Sequence, residues 1–158
     1  MIELNLVGVR VELPTNQPIV LLKEADGERY LPIWIGAVEA TAIAFALQGV
    51  VTQRPMTHDL LKTIVEEIGV SVEAISITDL KEGTFYSSIR LNRNGDTYEI
   101  SSRPSDALAL AVRANVRIFA AEEVVDEASI TIKEDDDEAE VERFKAFLDD
   151  VKPEDFLG

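Results

Sequence analysis

Two short segments of the 158-residue sequence follow one plan, Arg54-Pro55-Met56-Thr57-His58-Asp59 and Arg103-Pro104-Ser105-Asp106. Each runs arginine, proline, a hydroxyl and an aspartate, and each opens into a stretch patterned as a helix. The first turn of a helix leaves backbone N–H groups unpaired and carries partial positive charge, and a neighbouring arginine adds a forked, permanently charged donor. Two such openings brought together would bind an anion such as phosphate through Arg54, Arg103, Thr57 and Ser105. Carboxylates at the same places, Asp59 and Asp106 together with Glu39 from a third segment, could instead hold a divalent cation. His58 is the sole histidine and the one side chain whose ordinary pKa suits it to accept a proton near neutrality. A plainer reading stands beside this one: Thr57 and Ser105 cap helices, the prolines fix the entry, and the aspartates complement helix dipoles while pairing with the arginines. Capping does not, however, require arginine twice.

The elements that must position these residues are legible in outline. Rough alternation from Ile2 to Leu13 predicts a strand with an irregularity near Gly8, followed by a turn across Pro14 to Pro18. Ile19 to Leu22 and Arg29 to Ile35 flank Ala25-Asp26-Gly27-Glu28, which suits an antiparallel hairpin with positive φ at the turn. Ala37 to Gln48 reads as a short buried helix closed by Gly49, with Glu39 early in it. Thr57 is placed as the N-cap of a second helix whose stripe is Leu60, Leu61, Ile64, Val65 and Ile68. A three-stranded meander follows from Val70 to Ile100, then a third helix through Asn115 and a short strand at Ile118 to Ala120. The expected fold class is α+β: a mixed or mostly antiparallel sheet packed with three core helices, plus a C-terminal amphipathic helix. Trp34, flanked by apolar residues, reads as core or subunit interface in preference to a base-stacking platform.

Composition narrows the chemistry further. No cysteine is present, which removes disulfides, thiolate metal sites and cysteine nucleophiles. Motifs for a P-loop, a dinucleotide fold, a zincin and a serine hydrolase elbow are all absent from the sequence. The N-terminal residues lack a basic leader and no apolar run approaches a membrane span, so a cytoplasmic protein with no membrane partner is expected. The formal charge is −15, of which residues 134–158, with 11 acidic against 3 basic residues, contribute −8. Division at that point gives a domain over 1–133 and an acidic hinge with an amphipathic helix (Val141, Phe144, Phe147, Leu148) over 134–158. An acidic body repels phosphate backbones at long range, so contact with nucleic acid would rest on local arginines or bound cations.

Leu31-Pro32-Ile33-Trp34-Ile35-Gly36 with Glu39-Ala40, then Arg54-Pro55-Met56-Thr57-His58-Asp59-Leu60-Leu61, then Arg103-Pro104-Ser105-Asp106-Ala107-Leu108-Ala109-Leu110, resemble in order and spacing the signature segments of the bifunctional nuclease domain. The resemblance covers roughly residues 1 to 125. It implies an α+β domain that self-associates, occurs in bacteria and plants, and acts on both DNA and RNA. Other members carry a further C-terminal module where this chain has its acidic tail.

The expected function is therefore metal-assisted hydrolysis of phosphodiester bonds in DNA or RNA by a homo-oligomer. In it Glu39, Asp59 and Asp106 hold Mg2+ or Mn2+, Arg54 and Arg103 grip phosphate with Thr57 and Ser105, and His58 is general base or water orienter, so that His58, Asp59 and Asp106 form the catalytic set. The alternative is a non-catalytic oligomeric module whose arginine-led segments bind a small anion or lock helices together.

Overall fold

The computed structural model describes residues 1–12 and 16–131. In chain order the elements are β1 (Ile2–Glu12), β2 (Gln17–Glu24), β3 (Arg29–Trp34), α1 (Ala37–Leu47), α2 (Thr57–Glu67), β4 (Ser71–Lys81), β5 (Thr84–Arg93), β6 (Asp96–Ser102), α3 (Pro104–Ala114), β7 (Arg117–Ala120), α4 (Glu122–Ala128) and β8 (Ile130–Thr131). The strands form one sheet in the order β6-β5-β4-β7-β1-β2-β3-β8. Its pairs are antiparallel except β4 with β7, which run parallel across a crossover containing β5, β6 and α3. The fold is α+β with a mixed, mostly antiparallel sheet, as the patterning predicts. The expected C-terminal helix and acidic hinge lie outside the described residues.

Local chemistry accounts for the joints. β1 slips register between Leu6 and Gly8 against β2, the irregularity expected there. The β4–β5 and β5–β6 turns place Glu82-Gly83 and Asn94-Gly95 at positive φ, the geometry that suits two-residue hairpins. At the β2–β3 turn that expectation fails, because neither Asp26 nor Gly27 has positive φ. Gly27 serves space instead: a Cβ there would lie 2.8 Å from Glu24 Cδ, whose carboxylate accepts the Arg29 side chain at 2.7 Å.

The core gathers Val20, Leu22, Leu31 and Ile33 from β2 and β3, Ile75 and Ile77 from β4, Ala40 to Ala44 of α1 and Ala107 to Ala111 of α3. α1 packs on β1, β2 and α3, while α3 also packs on β4, β5 and β7. Two elements escape the sequence pattern, α4 and β8. In α4 only Val124 and Val125 are buried, too short a signal for a period to emerge. The stripe of α2 is a larger departure. Leu60, Leu61, Ile64 and Ile68 are all exposed, and His58 is the helix's one buried residue. The helix rests on α3 and β4 and leaves its apolar side open.

Candidate functional site

Three helices begin close together. Their N-caps are Gly36, Met56 and Arg103, and none makes a side-chain capping bond. Thr57 and Ser105 are therefore not the caps expected; each lies inside its helix, Thr57 at the first position and Ser105 at the second, after Pro104. The shared plan appears one step later: the third residue of every one of these helices is acidic, Glu39 in α1, Asp59 in α2 and Asp106 in α3. Carboxylates in a first turn meet the positive end of the helix dipole, which stabilises them there.

Side chains join the three starts. His58 Nε2 lies 3.0 Å from Asp106 Oδ1. Arg103 Nε donates to Asp106 Oδ2 at 2.9 Å, and the same guanidinium donates through an Nη to Glu39 Oε1 at 2.8 Å. The result is a continuous polar chain, His58–Asp106–Arg103–Glu39, linking α2, α3 and α1. The two arginine-led openings thus meet through His58 and Asp106, residues 48 positions apart. Glu39 folds back over Gly36 so closely that a Cβ at Gly36 would overlap its carboxylate.

Exposure is graded along this chain. The Arg103 side chain is 68% exposed, Asp106 31% and His58 7%. His58 Nδ1 is buried with no hydrogen-bond partner among the described residues. An ionised carboxylate only accepts hydrogen bonds, so Nε2 bears a proton facing Asp106, and in the neutral imidazole the lone pair is then on Nδ1. Burial alone would push the Asp106 carboxyl up, but hydrogen bonds from His58 and Arg103 outweigh it and hold the group below the usual carboxylate range. Asp106, not His58, is the member that faces outward.

Asp59 is directed elsewhere. One of its oxygens accepts the Met56 N–H at 3.0 Å, and the other accepts Arg113 Nε at 2.6 Å. Arg113 is 93% covered and also donates to the Ala109 carbonyl. Burial pushes the Asp59 carboxyl up, yet the Met56 amide and the Arg113 guanidinium bring it below its ordinary value. Asp59 therefore fastens α2 to α3 from within its own contacts. The metal set expected from the sequence, Glu39 with Asp59 and Asp106, does not assemble: no group of three His, Cys, Asp or Glu among the described residues is placed to hold a metal ion. Glu39 and Asp106 do meet, with the Arg103 guanidinium between them.

Arg54 is exposed, and the ion pairs found at the two openings among the described residues are made by His58, Asp59 and Arg103, not by Arg54. Thr57 is exposed as well. Ser105 is buried and lines a cleft of about 370 Å³ with Arg103, Trp34 and Phe85. Trp34 is 51% exposed, which removes it from the core, one of the two places expected for it, and leaves a subunit interface as the other. Arg113 and the cleft were not apparent in the sequence. The signal for Arg113 was a cation inside an otherwise apolar helical run, a position that requires a buried partner.

A family model described as bifunctional nuclease domain matches residues 20–133. An uncharacterized protein of Mycobacterium tuberculosis is 48% identical over 162 residues, covering 98% of this chain and 97% of its own length. Bifunctional nuclease 1 of Oryza sativa subsp. japonica is 29% identical over 106 residues, which are 65% of this chain and 32% of the rice protein. Bifunctional nuclease 2 of Arabidopsis thaliana is 30% identical over 112 residues, 67% of this chain and 34% of the plant protein. The chain spans about a third of the length of these plant relatives.

Proposed function

The chain belongs to the bifunctional nuclease domain family, and from that premise we propose that it hydrolyses phosphodiester bonds of DNA or RNA at the His58–Asp106–Arg103–Glu39 chain. The observation that carries this reading is the meeting of three helix starts through His58, one arginine and two carboxylates. Phosphodiester cleavage needs charge stabilisation on the phosphoryl oxygens and a positioned water. Arg103 uses two N–H groups on Asp106 and Glu39 and has others to offer a phosphate. Asp106 orients the attacking water from its exposed side, and His58 fixes the Asp106 carboxylate from behind.

A carboxylate held below its usual range is a weak base at neutral pH but a good oxygen ligand. Glu39 and Asp106 are the pair that would hold Mg2+ or Mn2+, ions that commonly take one or two carboxylates with substrate phosphates supplying further oxygens. Such an ion would supply a bound water of lowered pKa and neutralise charge on the phosphate. In that arrangement Arg103 moves from the carboxylates to the phosphate, and Asp59 is a positioning residue. Arg54, exposed at the α2 opening, adds a second cation for the nucleic-acid backbone.

We assign self-association to the same reading, with a second copy covering Leu60, Leu61, Ile64 and Ile68 on α2. No described helix is long and apolar enough to cross a membrane. Light scattering giving a monomer mass would remove the oligomer. The second reading is a non-catalytic oligomeric module whose arginine-led segments bind a small anion or lock subunits and helices together; the pairing of Arg103 with Asp106 and Glu39 favours its locking form.

Purified protein assayed on single- and double-stranded DNA and RNA with Mg2+, Mn2+ or EDTA separates the two. Cleavage that requires a divalent ion and disappears in Asp106→Ala and Arg103→Met supports the nuclease. Absence of cleavage, with thermal stabilisation by phosphate alone, supports the module.

A further inference from the structure

We infer that the cleft beside Arg103 seats one nucleobase against the face of Trp34, so that the attached phosphate reaches the Arg103 guanidinium. The inference rests on the nuclease reading and assigns it a substrate contact. Trp34 occupies the last rung of β3, paired with Ile19, between the buried Ile33 and Ile35. Strand alternation turns it away from the side chains that bury its neighbours, and half of it stays open to solvent. Phe85, the second residue of β5, lines the same cleft. Between them the wall is low at Gly83, which contributes no side chain and has nothing within 4 Å of a Cβ, whereas Gly36 is overlain by the Glu39 carboxylate.

The chemistry of the lining selects among ligands. Aromatic faces stack on bases of any identity because every base has a π face. Gln17, Thr84 and Ser105 sit in the same lining with groups able to meet a base edge. Arg103 lies at the end shared with the polar chain and the start of α3, where the guanidinium N–H groups not used on Asp106 and Glu39, with the first-turn N–H groups of α3, are the donors open to a phosphate. A volume of about 370 Å³ is at the small end of ligand clefts and suits one nucleotide, so the base must leave a duplex stack to enter. Single strands are then the preferred substrate class.

Trp34 is the only tryptophan in the sequence, so intrinsic fluorescence reports on this cleft alone. The full chain is titrated with AMP, dTMP, ribose 5-phosphate and inorganic phosphate. Saturable quenching by the two nucleotides, with none from ribose 5-phosphate or phosphate, is the expected result. Calorimetric titration of Trp34→Ala should show AMP affinity reduced by about 5- to 150-fold, the range for loss of one stacked base, with Trp34→Phe losing less. Equal responses to AMP and ribose 5-phosphate, unchanged affinity in Trp34→Ala, or emission that depends on protein dilution but not on AMP would each overturn the assignment. The last would make Trp34 a subunit contact. AMP contains no phosphodiester bond, so binding is read apart from cleavage. Cleavage of single strands with an unaltered KM in Trp34→Ala would sink this inference and leave the nuclease standing. Nucleotide quenching by a protein that cleaves nothing would do the reverse.

Discussion

Asp59 offers the sharpest separation of a structural role from a chemical one. In Asp59→Ala the Arg113 guanidinium, 93% covered, would keep the Ala109 carbonyl as its one partner among the described residues. Breaking a fully buried pair costs about 3–5 kcal/mol. Asp59 itself is 40% exposed, so solvent already screens part of that interaction and about 2–3 kcal/mol of it remains. Loss of the Met56 N–H acceptor at the α2 start adds about 1 kcal/mol, and some relaxation of Arg113 offsets it. The sum is a destabilisation of about 2–4 kcal/mol. For a chain of this size each kcal/mol lowers Tm by about 2–4 °C, giving a fall of about 5–15 °C. Urea unfolding followed by helix circular dichroism measures it. Asp59→Ala/Arg113→Met should recover about half of the loss, because no cation is then left buried without a partner. An Asp59→Ala protein within about 0.5 kcal/mol of the parent would refute the reasoning, since that is the scatter of ordinary surface substitutions.

Acid should act on the same groups. The native carboxyls of Asp59 and Asp106 lie below their ordinary values, so the unfolded chain, with aspartates near about 3.9, binds more protons at moderately acid pH. The stabilisation is complete above the unfolded value and lost as pH falls through the native ones. Urea midpoints should therefore drop below about pH 4, and less steeply in Asp59→Asn and Asp106→Asn; an acid limb unchanged in both would contradict the assignment. The sole histidine permits a second check by 15N NMR. At a pH where the imidazole is neutral, Nε2 should carry the proton, and Asp106→Ala should disturb that preference. An Nδ1–H tautomer would place the Asp106 contact in error.

Much of this architecture could be read from residue order. The β1 irregularity at Gly8, the β2–β3 hairpin, the β4–β5–β6 meander and the three core helices follow from alternation, turn residues and helical period. Parallel pairing of β4 with β7 did not, because β7 has four residues and its partner is set by where α3 returns the chain. The α2 stripe was legible as amphipathic, but period cannot say what covers a face, and here no described residue buries it. At the site, the repeated Arg-Pro plan pointed to two helix openings, and they meet. The roles within it depended on direction. Asp59 and Asp106 occupy the same helical position, yet one reaches Arg113 and the other His58, a choice made by the packing of α2 on α3. His58 suggested a proton acceptor by type alone, while its burial behind Asp106 is a tertiary fact.

The proposed division of roles puts Asp106 in the reacting centre and Asp59 outside it. Single-turnover cleavage of a labelled single-stranded oligonucleotide, normalised to folded protein, measures it in Asp106→Asn and Asp59→Asn side by side. A loss of about a thousandfold or more is expected for Asp106→Asn, the scale for removing a group that acts on the transition state, and less than about tenfold for Asp59→Asn. Equal losses in the two variants, or full activity in Asp106→Asn, would contradict it.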